Sequence, residues 1–133
     1  MIPTEYTELL QKLFKKTKEK LAVWNKSSGE EQFVLKLTDG TIIIEADFDL
    51  NEGTVFRFSI LNNDGVRIEF FEVKDDFNNR DDFLLMSELH ATIKRIYYKV
   101  EETIKNITNE IDNSYIVGSD ENSEKIEKED LPF

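Results

Sequence analysis

An α+β domain is expected from three features of this chain: an amphipathic helical pattern near its start, apolar runs of period two folded at Asp39-Gly40 and Asn63-Asp64-Gly65, and a long helical stripe beginning near Met86. Together they describe an N-terminal helix, an antiparallel meander of four to five strands, and a long C-terminal helix packed on one sheet face. The expected domain covers 1–112, and 113–133 follows as a disordered acidic tail.

Thr4 is a candidate N-cap, after which Tyr6, Leu9, Leu10, Leu13 and Phe14 recur at helical spacing. Lys12, Lys15, Lys16 and Lys18 lie toward the other face and the C-terminal end, where cations suit the helix dipole, so a solvated face explains them more simply than an anion site. Leu21 to Asn25 reads as a first short strand, closed by the turn-like Lys26-Ser27-Ser28-Gly29. From Gln32, Phe33, Leu35 and Leu37 alternate with polar residues up to Asp39-Gly40, and an apolar run over Thr41 to Ala46 returns. Asp-Gly between two such runs signals a hairpin, because the turn needs positive φ. A second hairpin pairs Phe56, Phe58 and Ile60 with Val66, Ile68 and Phe70, and the alternation puts Phe56, Phe58 and Phe70 on the face that helices cover. Asp81 or Asp82 then caps a helix whose stripe is Met86, Leu89, Ile93, Ile96, Tyr97, Val100, Ile104 and Ile107. It is expected to run unbroken to about Ile111. Such a stripe suits a coiled-coil seam as well, but packing on the chain's own sheet is the expected use.

With 133 residues, 39% of them apolar and ten of them Phe, the chain has material for one core rather than two. No apolar run approaches the ~20 residues of a membrane-spanning helix, and the first twenty residues are charged rather than signal-like, so a cytoplasmic location is expected. Cysteine is absent, which excludes disulfides, thiolate metal sites and cysteine nucleophiles. The sequons Asn25-Lys26-Ser27 and Asn106-Ile107-Thr108 lack a secretory signal and carry no weight. A net charge of −11 argues against direct binding of nucleic acid or an anionic membrane. That charge is concentrated at the end, where residues 112–133 hold seven acidic against two basic side chains.

Candidate chemistry is sparse. His90, the single histidine, lies beside the helical stripe without a second His or a Cys to complete a site, and reads as a partly buried structural residue. Asp47-Phe48-Asp49-Leu50-Asn51 opens like a calcium loop, but Gly53 comes one position late and Phe58 stands where a bidentate Glu is needed. Asp75, Asp76, Asp81 and Asp82 have no spacing that fixes coordination geometry, so they read as a solvated loop and helix cap. Phosphate loops, nucleotide-binding Gly patterns and nucleophile elbows are absent from the sequence. Trp24 and the sheet aromatics read as core rather than a base-stacking surface. No catalytic residue, cofactor or metal is expected.

The chain ends Glu127-Lys128-Glu129-Asp130-Leu131-Pro132-Phe133. This resembles the acidic tip of bacterial single-stranded DNA-binding proteins, in which several acidic residues precede Leu or Ile and a terminal Pro-Phe. The resemblance implies a docking peptide for the apolar, basic-rimmed pockets of DNA-processing enzymes. Phe133 would fill the pocket and its carboxylate meet a basic side chain, Pro132 hold the chain extended, Leu131 add apolar contact, and Glu129 and Asp130 face the rim. Lys128 departs from an all-acidic run, and the rest of the chain does not resemble that family's basic OB barrel. Leu9-Leu10, Trp24, Asp39-Gly40, Ser59-Ile60-Leu61-Asn62-Asn63-Asp64-Gly65 and Leu85-Met86-Ser87-Glu88-Leu89 instead give residues 4–107 a resemblance to a group of small bacterial α+β proteins, which implies the fold only. The partner expected from these features is a protein. The alternative is an acidic immunity or inhibitor protein that neutralises a basic partner through its folded domain.

Overall fold

In the computed structural model, which describes residues 2–27, 29 and 31–119, the chain divides into two units, one ending at Tyr98 and the other beginning at Lys99. The first holds helix α1 (Thr4–Lys18), five strands and helix α2 (Arg80–Tyr97). The strands are β1 (Asn25–Lys26), β2 (Gln32–Lys36), β3 (Thr41–Asp49), β4 (Gly53–Leu61) and β5 (Arg67–Lys74), and a 3-10 turn, Phe77–Asn79, leads into α2. The sheet order is β1-β2-β3-β4-β5 and every pairing is antiparallel, so each strand lies beside its chain neighbour.

The core follows from period. Phe33, Ile44 and Phe58 are in register across three strands, and Leu35 faces Ile42 beside them. Leu10 and Leu13 of α1 and Met86, Leu89 and Ile93 of α2, spaced three and four apart, join the same buried cluster. Each such side chain contributes roughly 1.5–3 kcal/mol on full burial. Tyr6 sets its ring 6.0 Å from Phe71, and Phe58 stacks on Phe71 at 4.8 Å.

The α+β architecture and the meander are as expected, but several local readings are corrected. Thr4 is not the N-cap: Pro3 holds that position, without a side-chain cap bond. Leu21 to Asn25 is not a strand; β1 is only Asn25–Lys26, and the preceding loop turns Leu21 and Val23 outward and Trp24 inward. The cause is the end of α1, where Lys20 adopts φ 62° while its N–H donates to Thr17 O at 3.0 Å and the Leu21 N–H to Lys16 O at 2.9 Å. This is a Schellman closure with lysine where glycine is usual.

Asp39-Gly40 does form a hairpin, yet Gly40 is not at positive φ. A Cβ there would lie 2.8 Å from Leu61 O, so close approach of the backbones calls for glycine. β5 is reversed relative to the expected alternation. A bulge between Ile60 and Leu61 shifts the register, so Phe71 and Val73 point into the core while Val66, Ile68 and Phe70 are exposed.

The helix expected to run to Ile111 is broken. α2 ends at Tyr97, Lys99 adopts φ 54°, and α3 (Val100–Asn113) begins afterwards. A continuous helix sets neighbouring side chains about 100° apart, whereas here Tyr97 and Tyr98 both reach Phe33, at 5.5 and 6.5 Å. In the second unit α3 has no buried residue, and Ser114–Ser119 forms neither helix nor strand. The remainder of the expected disordered tail, 120–133, lies outside the described residues.

Candidate functional site

The Schellman closure of α1 also builds a concave surface. Because Leu21 and Val23 leave the helix end pointing outward, they stand beside Leu9 and Leu13 of α1 and Leu37 after β2, enclosing an apolar groove of about 460 Å³. Leu21, Val23 and Leu37 are 64%, 76% and 54% exposed, which is high for side chains of this size clustered together. The rim is basic. Lys12 and Lys16, one helical turn apart, and Lys36 on β2 line it, their aliphatic stems able to lie along the apolar wall while the ammonium groups stay in water. Lys12 pairs with Glu8 at 3.0 Å on the exposed helix face.

This groove is not evident from the sequence, in which the α1 lysines read as a solvated face and Leu21 and Val23 as a strand, so its two halves stay apart. The available signal was the interleaving of Leu9, Lys12, Leu13 and Lys16, which puts lysine stems at the border of the apolar stripe.

The sheet face away from the helices carries a charged cluster. Arg57 donates to Glu72 at 2.8 Å, Asp47 at 2.9 Å and Glu45 at 3.0 Å, joining three strands. The Glu72, Asp47 and Glu45 carboxylates hold the guanidinium charged, and Arg57 together with the Phe48 N–H holds the Asp47 carboxyl below its usual value. Arg67 stacks on Phe70 at 4.6 Å on the same strand. The three carboxylates outnumber the guanidinium they share, so the cluster keeps a net negative charge, and Glu45 borders shallow hollows on this face.

The other sequence candidates have structural employment. His90 is buried between Phe33 and Phe56, and its Nε2 lies 2.9 Å from Glu31 O. Asp47 and Asp49 belong to β3, so the apparent calcium loop is a strand entering a hairpin, where Asp49 accepts the Asn51 N–H at 2.7 Å. Asp75 pairs with Arg80 at 2.6 Å, and Asp76 accepts the Asn78 N–H at 3.0 Å, capping the 3-10 turn rather than α2 itself. Asp81 and Asp82 are inside the first turn of α2, and Asp82 accepts the Ile2 N–H at 2.9 Å. Trp24 is buried, its Nε1 donating to Thr17 Oγ1 at 3.1 Å. Among the described residues no group of His, Cys, Asp and Glu is arranged to hold a metal ion, and no helix is long and apolar enough to cross a membrane. Glu129, Asp130, Leu131, Pro132 and Phe133 lie outside the described residues. No protein-family model, curated protein or solved structure matches this chain.

Proposed function

We propose that this protein is a non-enzymatic interaction module whose tip, Glu129-Asp130-Leu131-Pro132-Phe133, docks in an apolar, basic-rimmed pocket on an enzyme that reads the tails of single-stranded DNA-binding proteins. The observation that carries the reading is the Asp130-Leu131-Pro132-Phe133 sequence at the end of an acidic segment. In support, His90, Asp47, Asp76 and Asp82, the groups closest to candidate chemistry, are occupied with holding the fold. The test is titration of wild type, Phe133→Ala and a deletion of residues 130–133 against a purified tail-reading helicase or exonuclease. Wild type should bind at roughly micromolar strength, since ordering a short peptide offsets much of its contact energy. Loss of the aromatic anchor should cost about 2 kcal/mol, more than tenfold in affinity. Equal binding by all three proteins removes the tip from the account.

A second reading, neutralisation of a basic partner by the folded unit, draws on one end of the sheet. There the β3–β4 hairpin brings Asp47, Asp49 and Glu52 beside the end of β5 and Asp75, the ends being tied by a Lys74–Glu52 ion pair of 3.0 Å. A basic protein that co-purifies and survives deletion of residues 119–133 supports this reading, and loss of every such partner on deletion overturns it.

A further inference from the structure

α3 is an acidic helix whose apolar stripe is largely exposed among the described residues, and the first unit has an apolar groove with a basic rim. The stripe consists of Val100, Ile104, Ile107 and Ile111, spaced four, three and four apart, so they share one face over roughly 16 Å of helix. Ile104, Ile107 and Ile111 are 53%, 53% and 57% exposed. At 100° per residue, Glu101 and Asp112 border the stripe on one side and Glu110 on the other. Four carboxylates against Lys105 make α3 net negative, whereas Lys16 and Lys36, beside a Lys12 that is paired with Glu8, make the groove rim locally positive in a chain that is acidic as a whole. Anchors at i, i+3 and i+7 of an amphipathic helix are what an apolar groove of a few hundred Å³ receives. We propose that the groove of one copy of this chain receives α3 of a second copy, Ile104, Ile107 and Ile111 entering between Leu21, Val23 and Leu37 while acidic flanks meet the lysine rim.

One helix in a shallow groove covers less than the ~1,600 Å² of a standard interface, so association should be weak, on the order of 100 μM, and should fall as salt screens the exposed rim. The experiment is sedimentation equilibrium of the full chain from low to high concentration, with two variants made at exposed positions. Ile107→Asp removes the stripe and leaves the groove; Leu37→Asp with Lys16→Glu removes the groove and leaves the stripe. Circular dichroism checks that both keep the wild-type fold. Each variant alone should associate at least about tenfold more weakly than wild type. An equimolar mixture should regain association, because it contains one intact groove and one intact stripe. Three results overturn the proposal: wild type monomeric at every concentration, association lost with Ile107→Asp but untouched by the groove variant (stripe meeting stripe), or a mixture no more associated than its components. None of these outcomes bears on the Phe133 titration, so this inference and the tip reading fail separately.

Discussion

Lys20 occupies a conformation that costs an L-residue about 1–2 kcal/mol relative to glycine, offset in part by glycine's larger entropy loss. Lys20→Gly should therefore raise stability by about 0.5–1 kcal/mol, readable as a higher urea midpoint with unchanged slope. Gly40→Ala should act in the opposite direction. Its Cβ would meet a backbone oxygen, Leu61 O, which cannot rotate away, and a cost of about 1–3 kcal/mol is expected. Thr17 is the third informative side chain: fully buried, it donates to Leu13 O at 2.8 Å while accepting from Trp24 Nε1. Thr17→Val would strand the buried indole N–H, costing about 1–3 kcal/mol, whereas Thr17→Ser keeps the relay and should cost less. Thermal melts of both variants, with the Trp24 emission maximum as a local probe, separate these outcomes.

Among the strands, Arg57 is the tie whose removal has a pH signature. Arg57→Met would leave the Glu45, Asp47 and Glu72 carboxylates near one another without their shared cation; since Arg57, Glu45 and Glu72 are about a third exposed, Asp47 more than half, and all are screened, about 1 kcal/mol is expected at neutral pH. Asp47 is held below its unfolded value near 3.8, so its contribution is present above that pH and disappears as pH falls through the lower folded value. The gap between wild type and variant in denaturant midpoint should thus hold from pH 7 to about pH 4 and narrow as pH falls further. These strands also show why the sequence was readable in part. Phe33, Phe56 and Phe58 were legible because an undisturbed period of two leaves one choice of face, whereas the run Ile42-Ile43-Ile44 does not alternate and left its face open. Phe70 was misplaced because a bulge is one extra residue, invisible to an alternation that looks equally regular in either frame. The helix break was hidden similarly: Ile93, Ile96, Val100, Ile104 and Ile107 keep helical spacing straight through Lys99, and only the packing of Tyr97 and Tyr98 on Phe33 marks the end of α2.

For the chain as a whole, every member of the buried core cluster precedes Tyr98, while residues 99–133 hold ten acidic against four basic side chains. A chain truncated after Tyr98 should therefore fold and unfold cooperatively within about 1 kcal/mol of the full chain. At low protein concentration, amide exchange should be slow through Met86 to Ile93 and fast through α3, because α2 is anchored in the core and α3 buries nothing of its own. The groove was only half legible in sequence: the interleaved lysines of α1 mark one wall, but the outward turn of Leu21 and Val23 depends on the αL closure, and Leu37 comes from a separate hairpin. The proposed tip, by contrast, is contiguous, so its reading rests on the order of residues 129–133 alone.

The bulge in β5 has a protective side. Of the sheet's two outer strands, β1 is only two residues long, which leaves β5, eight residues with Ile68 and Phe70 exposed, as the border onto which a foreign strand could add. The irregularity at Ile60/Leu61 interrupts that border, and Arg67, Glu69, Glu72 and Lys74 charge it. Excising Ile68 to straighten the strand would create a longer, flatter template, and the expected penalty is fibrillar aggregation, visible by thioflavin fluorescence, as well as any loss of stability.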